Sequence, residues 1–82
     1  MRSIMNVHVR LFSRFREKLP PEARGEATIE FPDGSSVQDL LDHLDIRRPV
    51  KLIVVNGERE TDRDRILCDG DAVRIYPVVV GG

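Results

Sequence analysis

The sequence has no tryptophan, one cysteine, and only three phenylalanines and one tyrosine among 82 residues. A core must therefore be aliphatic, built from Val, Ile and Leu. The lone thiol, Cys68, forms no internal disulfide, which fits a reducing compartment. An excess of one charge is also missing. The 13 basic and 14 acidic residues leave a net charge of −1, so no bulk basicity holds nucleic acid or an anionic membrane. No apolar run approaches the roughly 18 residues of a membrane span. The opening Met1-Arg2-Ser3-Ile4-Met5-Asn6 lacks the apolar stretch of a signal peptide. The expectation is one cytoplasmic globular domain, at the small end of what folds unaided.

What is present reads in order along the chain. Met5, Val7, Val9 and Leu11 alternate with polar residues, the period of a strand with one apolar face. A polar stretch from Ser13 to Gly25 follows, holding Pro20-Pro21 and several charges. Ala27, Ile29 and Phe31 give a second alternating strand before the turn residues Pro32-Asp33-Gly34. Val37, Leu40, Leu41 and Leu44 form one helical stripe. Ser36 stands at the N-cap and Asp39 completes a capping-box-like pair. This helix is expected to stop before Pro49. Val50–Val55 is almost continuously apolar and predicts a strand covered on both faces or nearly so, with either Ile53 or Val55 available to the outer one. Asn56-Gly57 predicts a type I′ hairpin turn into a short return strand. Leu67 anchors the loop before Asp69-Gly70-Asp71, and Val73 and Ile75 mark the final strand.

The order β-β-α-β-β-β predicts an α+β fold, with one main helix packed on one face of a mixed sheet of about five strands. Placing the first and last strands side by side and parallel in the middle gives the β-grasp, or ubiquitin-like, arrangement. The domain then spans residues 1–77 and leaves a flexible tail over 78–82. If those two strands are neighbours, Phe12 and Tyr76 share the face opposite the helix. An exposed aromatic pair at the root of a tail suits partner docking, continued by Pro77, Val78, Val79 and Val80.

The sequence closes on Gly81-Gly82, read here as the protein's own C-terminus. Two residues without side chains make a thin strip of backbone able to enter a narrow slot, and glycine bends to φ/ψ values other residues avoid. Other residues that invite chemical readings carry less. Cys68 has no basic or His sequence neighbour to lower its pKa and reads as a small packing residue. His8 and His43 lack any metal-ligand spacing, and no metal site is expected. Asp62, Asp64, Asp69 and Asp71 lack the order of a calcium loop. Arg14, Arg16, Lys18 and Arg24 make a locally basic stretch, offset by Glu17, Glu22 and Glu26, suited to steering an acidic partner.

Three segments carry a family resemblance. Val9-Arg10-Leu11-Phe12-Ser13-Arg14-Phe15-Arg16-Glu17 resembles the opening strand and turn of the MoaD/ThiS sulfur-carrier family, and more particularly the small subunits of molybdopterin synthase. The helix start Gly34-Ser35-Ser36-Val37-Gln38-Asp39-Leu40-Leu41 is similar to that family's helix. The run from Val54-Val55-Asn56-Gly57 through Leu67, Asp69-Gly70-Asp71, Val73, Ile75, Pro77 and Gly81-Gly82 is similar to its second half. The resemblance implies a carrier whose Gly82 carboxylate is adenylated by an E1-like enzyme using ATP and Mg²⁺. Sulfur from a cysteine desulfurase or rhodanese-type donor then converts it to a thiocarboxylate. The carrier itself binds no cofactor and acts as a non-catalytic subunit, with Gly81 keeping the tail slim. The sulfur goes to a pterin precursor on a larger synthase subunit, in molybdenum or tungsten cofactor synthesis, or to another acceptor. A thiamin-type carrier, a ubiquitin-like modifier joined to lysines, and a β-grasp interaction domain with an incidental diglycine stay open as alternatives.

Overall fold

The computed structural model describes residues 3–78. Five strands and one helix follow in chain order: β1 Ile4–Leu11, β2 Glu26–Pro32, α1 Val37–His43, β3 Val50–Val55, β4 Glu58–Arg59 and β5 Ala72–Pro77. The sheet order is β2-β1-β5-β3-β4. β1 and β5 are parallel, pairing Val9 with Val73 and Leu11 with Ile75, while the other pairs are antiparallel. The β-grasp expectation therefore holds, first and last strands side by side.

The alternation in β1 and β5 sends Met5, Val7, Val9, Leu11, Val73 and Ile75 to one face, where they meet the Val37, Leu40, Leu41 and Leu44 stripe of α1. Nearly complete burial of these side chains is the main favourable contribution to folding. The helix is short, and its ends are fixed by specific bonds. The Ser36 hydroxyl accepts from the Asp39 N–H (3.2 Å) and the Asp39 carboxylate accepts from the Ser36 N–H (2.8 Å), the reciprocal capping box. The Val37 and Gln38 N–H groups donate to the carbonyls of Arg65 and Arg63, so the 61–65 loop finishes the helix N-terminus. At the other end Asp45 takes a left-handed φ of 56°. Its N–H donates to the Asp42 carbonyl, and Ile46 N–H to that of Leu41, both at 3.0 Å. This is a Schellman ending, with Ile46 buried beneath it.

Two tight turns set the loops. Asn56 (φ 53°) and Gly57 (φ 83°) form the expected type I′ turn. The Asn56 side chain donates to the buried Asp71 carboxylate (2.9 Å) and accepts from Ala72 N–H (2.9 Å), while Asp71 also accepts from Cys68 N–H at 2.8 Å. The Asp69-Gly70-Asp71 turn is thereby tied to the hairpin. Near it Arg65 donates to Glu60 at 2.9 Å, and this guanidinium holds the Glu60 carboxyl below its ordinary value. The lowered pKa means that the pair's contribution is present at neutral pH and fades as pH falls through that value.

The Ser13–Gly25 stretch is less open than its polarity suggests. It contains two 3₁₀ turns, Ser13–Lys18 and Pro21–Ala23, and it buries Phe15 in the core. Gly25 closes it: φ is +80°, its carbonyl accepts from Leu11 N–H at 2.7 Å, and a β-carbon there would lie 2.8 Å from the Leu11 carbonyl oxygen. Gly25→Ala is accordingly expected to destabilise the fold by about 2 kcal/mol through backbone strain, measured as a shift in urea midpoint at unchanged m-value. An unchanged midpoint would show that the turn adapts.

Candidate functional site, a docking face at the root of the tail

The strand directions bring the ends of β1 and β5 and the start of β3 together at one end of the three central strands. On the face opposite α1, Phe12 and Tyr76 stack with ring centroids 4.2 Å apart and planes at 10°. Parallel pairing of β1 with β5 causes this. It sets Leu11 against Ile75 on the core side, so the next residue of each strand comes up on the outer side. The Arg10 guanidinium lies 5.2 Å above the Phe12 ring, a cation–π contact. Both aromatic residues are half-buried and keep surface for a partner.

β3 extends the patch through residues that the sequence does not single out. Ile53 and Val55 are buried on the core face, and it is Leu52 and Val54, half-buried, that lie on the outer face, opposite Tyr76 and Arg74. The strand is thus covered on one face and only partly on the other. Pairing of Ile53 with Ile75 and of Val55 with Val73 fixes the assignment, and a register shift between Val50 and Leu52 breaks the period before it. Val50 pairs with Pro77 and packs against the core, then Lys51 is passed over as the extra residue of a bulge. Without the bulge, the period of the strand would turn Lys51 inward with Ile53 and Val55. An unbroken apolar run carries no alternation from which to read this. Lys51, its one charged residue, would by the period of a strand place Ile53 and Val55 on the outer face, the reverse of what is found.

Pro77 is buried beside Val50, and Val78 is exposed, donating its N–H to the Pro49 carbonyl at 3.3 Å. This bond fixes the last described residue against the start of β3. Val79, Val80, Gly81 and Gly82 lie outside the described residues.

The remaining polar residues are spread apart. His8 lies on the outer face against Thr28, with Nδ1 and Oγ1 2.9 Å apart, whereas His43 packs its edge on Phe31 at 4.9 Å. Cys68 is exposed, not packed as its isolation in the sequence suggests, because Leu67 takes the inward place and Cys68 the next, outward one. No three His, Cys, Asp or Glu side chains gather as metal ligands among the described residues. No helix among them is long and apolar enough to cross a membrane. What the site offers is an apolar patch with guanidinium groups beside it, next to Val78, the last described residue.

The comparisons agree with this fold. Residues 4–80 match the Mut7-C ubiquitin family. A Pyrococcus furiosus protein, provisionally assigned as molybdopterin converting factor subunit 1, is 30% identical, with 92% of this chain and 99% of that one covered and a TM-score of 0.72. A Haloferax volcanii protein solved in solution is 27% identical over 96% of this chain and 88% of that one, at a TM-score of 0.74. Subunit 1 and 2 of the molybdopterin-converting factor of Helicobacter pylori have been solved as a complex; its matching chain is 21% identical, covers 95% of this chain and 100% of its own, and shares the fold at a TM-score of 0.57. No curated protein sequence is significantly similar. The chain belongs to the Mut7-C ubiquitin family, and so to the ubiquitin-like proteins of the MoaD/ThiS kind.

Proposed function

We propose that the chain is a sulfur carrier of molybdopterin synthesis, and that Gly82 is its covalent carrier group. The observation that carries this reading is the Phe12–Tyr76 patch at the root of a segment that continues to Gly81-Gly82. A patch there lets a partner hold the domain while the tail is threaded into its active site. A carboxylate is a poor acyl donor. An E1-like enzyme with ATP and Mg²⁺ joins the Gly82 carboxylate to AMP and releases pyrophosphate. The terminal sulfur of a persulfide donor displaces AMP, and a second thiol cleaves the resulting disulfide to leave the thiocarboxylate. The sulfur then passes to a pterin precursor on a larger synthase subunit, the kind of partner present in the Helicobacter pylori complex. The carrier's own part is mechanical: the domain docks, Gly81 stays thin, and Gly82 is activated.

Mass spectrometry of the intact protein recovered from its host tests this. The expected result is a fraction heavier by the exchange of one oxygen for sulfur, located on Gly82. Gly-Gly remnants on lysines of other proteins, with no such exchange, would instead identify a protein modifier and overturn the sulfur-carrier reading.

A further inference from the structure

The net charge of −1 hides a polarity along the strands. Segments 13–25 and 45–51 meet at the tail-root end and hold seven basic against three acidic side chains. At the opposite end, segments 32–39 and 61–71 hold six acidic side chains against two basic ones, Arg63 and Arg65. Four of the seven basic side chains line a cleft of about 510 Å³, floored by Phe15 and walled by Arg14, Glu17, Lys18, Asp45, Arg47 and Arg48. The first 3₁₀ turn supplies one wall, and the segment after the Schellman ending supplies the other.

Asp45 is shared between Arg47, at 2.7 Å, and Lys18, at 3.9 Å. Arg14 and Arg48 are exposed and have no ion-pair partner among the described residues. Arg48 immediately precedes Pro49, whose carbonyl accepts the Val78 N–H. A protein that receives the residues after Val78 must therefore bring the mouth of its slot beside this cleft. The cleft is open and its charged groups are long exposed side chains, without a buried polar group aimed inward. That construction suits a protein rim better than a small anion.

We propose that Arg14, Lys18, Arg47 and Arg48 form an electrostatic collar for the enzyme that activates the tail, and that this enzyme carries carboxylates around the mouth of its slot. This rests on the carrier reading above. The collar works ahead of contact: the basic end leads, the acidic end trails, and the tail arrives pointing at the slot. Steering of this kind acts on association rate and is screened within about 10 Å at 0.1 M salt.

The test is ATP–pyrophosphate exchange by the E1-like adenylating enzyme of the same organism, driven by the full chain over a range of salt. Arg14→Glu/Arg47→Glu/Arg48→Glu is expected to lower kcat/KM for the chain by about tenfold or more at low salt. The deficit should shrink as salt rises, and the corresponding Gln triple should fall between the two. Arg48→Glu should slow exchange whereas Arg63→Glu, an equal charge change on an exposed side chain beside the helix N-terminus, should not. Equal rates for the wild type and both triple variants at every salt would overturn the collar. So would binding of duplex DNA or phosphatidylserine vesicles that the wild type shows and the triple variants lose. Removal of Gly82 separates the two layers. Exchange that needs Gly82 but ignores the collar sinks the collar alone, while exchange that persists without Gly82 sinks the carrier reading with it.

Discussion

Removal of Gly82 is expected to abolish adenylation and thiocarboxylate formation completely while leaving the thermal unfolding midpoint unchanged. The separation follows from where the described core lies. Val78, hydrogen-bonded to Pro49, is the last described residue, and every buried core side chain among the described residues lies before it. The chemistry, in contrast, is assigned to the carboxylate of Gly82, a residue with no side chain to bury. Truncation moves the carboxylate to Gly81 and shortens the reach by one residue, about 3.3 Å, enough to withdraw it from reacting distance. Intact-mass analysis after incubation with the E1-like enzyme, ATP, Mg²⁺ and a persulfide donor reads the result. A truncated chain that still gains sulfur would show that Gly82 is not the carrier.

Tyr76→Ala is expected to weaken binding to the larger synthase subunit by about 30-fold, the loss of about 2 kcal/mol found at a central aromatic anchor. Phe12→Ala should act similarly, and the pair should be less than additive, because each ring stacks on the other at 4.2 Å. Calorimetric titration measures the affinity, with thermal unfolding recorded beside it. The β3 residues provide the internal contrast. Leu52→Ala should cost affinity with little loss of stability, since Leu52 is half-buried on the docking face. Ile53→Ala should cost about 2–4 kcal/mol of stability and little intrinsic affinity, since Ile53 is 5% exposed within the core. If Ile53→Ala weakened binding and Leu52→Ala did not, the assignment of faces in β3 would be reversed.

The legible parts of the sequence were those with a local period or a local turn. The β1 alternation, the α1 stripe with its Ser36–Asp39 cap and the Asn56-Gly57 turn each involve residues a few positions apart, whose conformations are biased by their own side chains. Phe15 shows the limit. It stands between Arg14 and Arg16 with no periodic partner, so nothing local announces that it enters the core. Cys68 shows the reverse, exposed because its neighbour Leu67 is the one held inward. The outer apolar patch was legible by half. Phe12 and Tyr76 could be placed once β1 and β5 were assumed to be neighbours, whereas Leu52 and Val54 are placed by the register of β3 against β5.

The sequence by itself therefore determined the elements, their order, the family, and a diglycine following the last strand. The tertiary structure decided which surfaces those elements share. Parallel pairing stacks two rings that are 64 positions apart in the chain. The register of β3 against β5 puts Leu52 and Val54 beside Tyr76 and Arg74 on the outer face, while the bulge turns Lys51 out and Val50 in. Closure of the first 3₁₀ turn against the end of the helix gathers arginines from two distant segments beside the tail root. The physical reason is the same in all three cases. Such contacts are fixed by strand pairing and core packing between distant segments, and no local propensity encodes them.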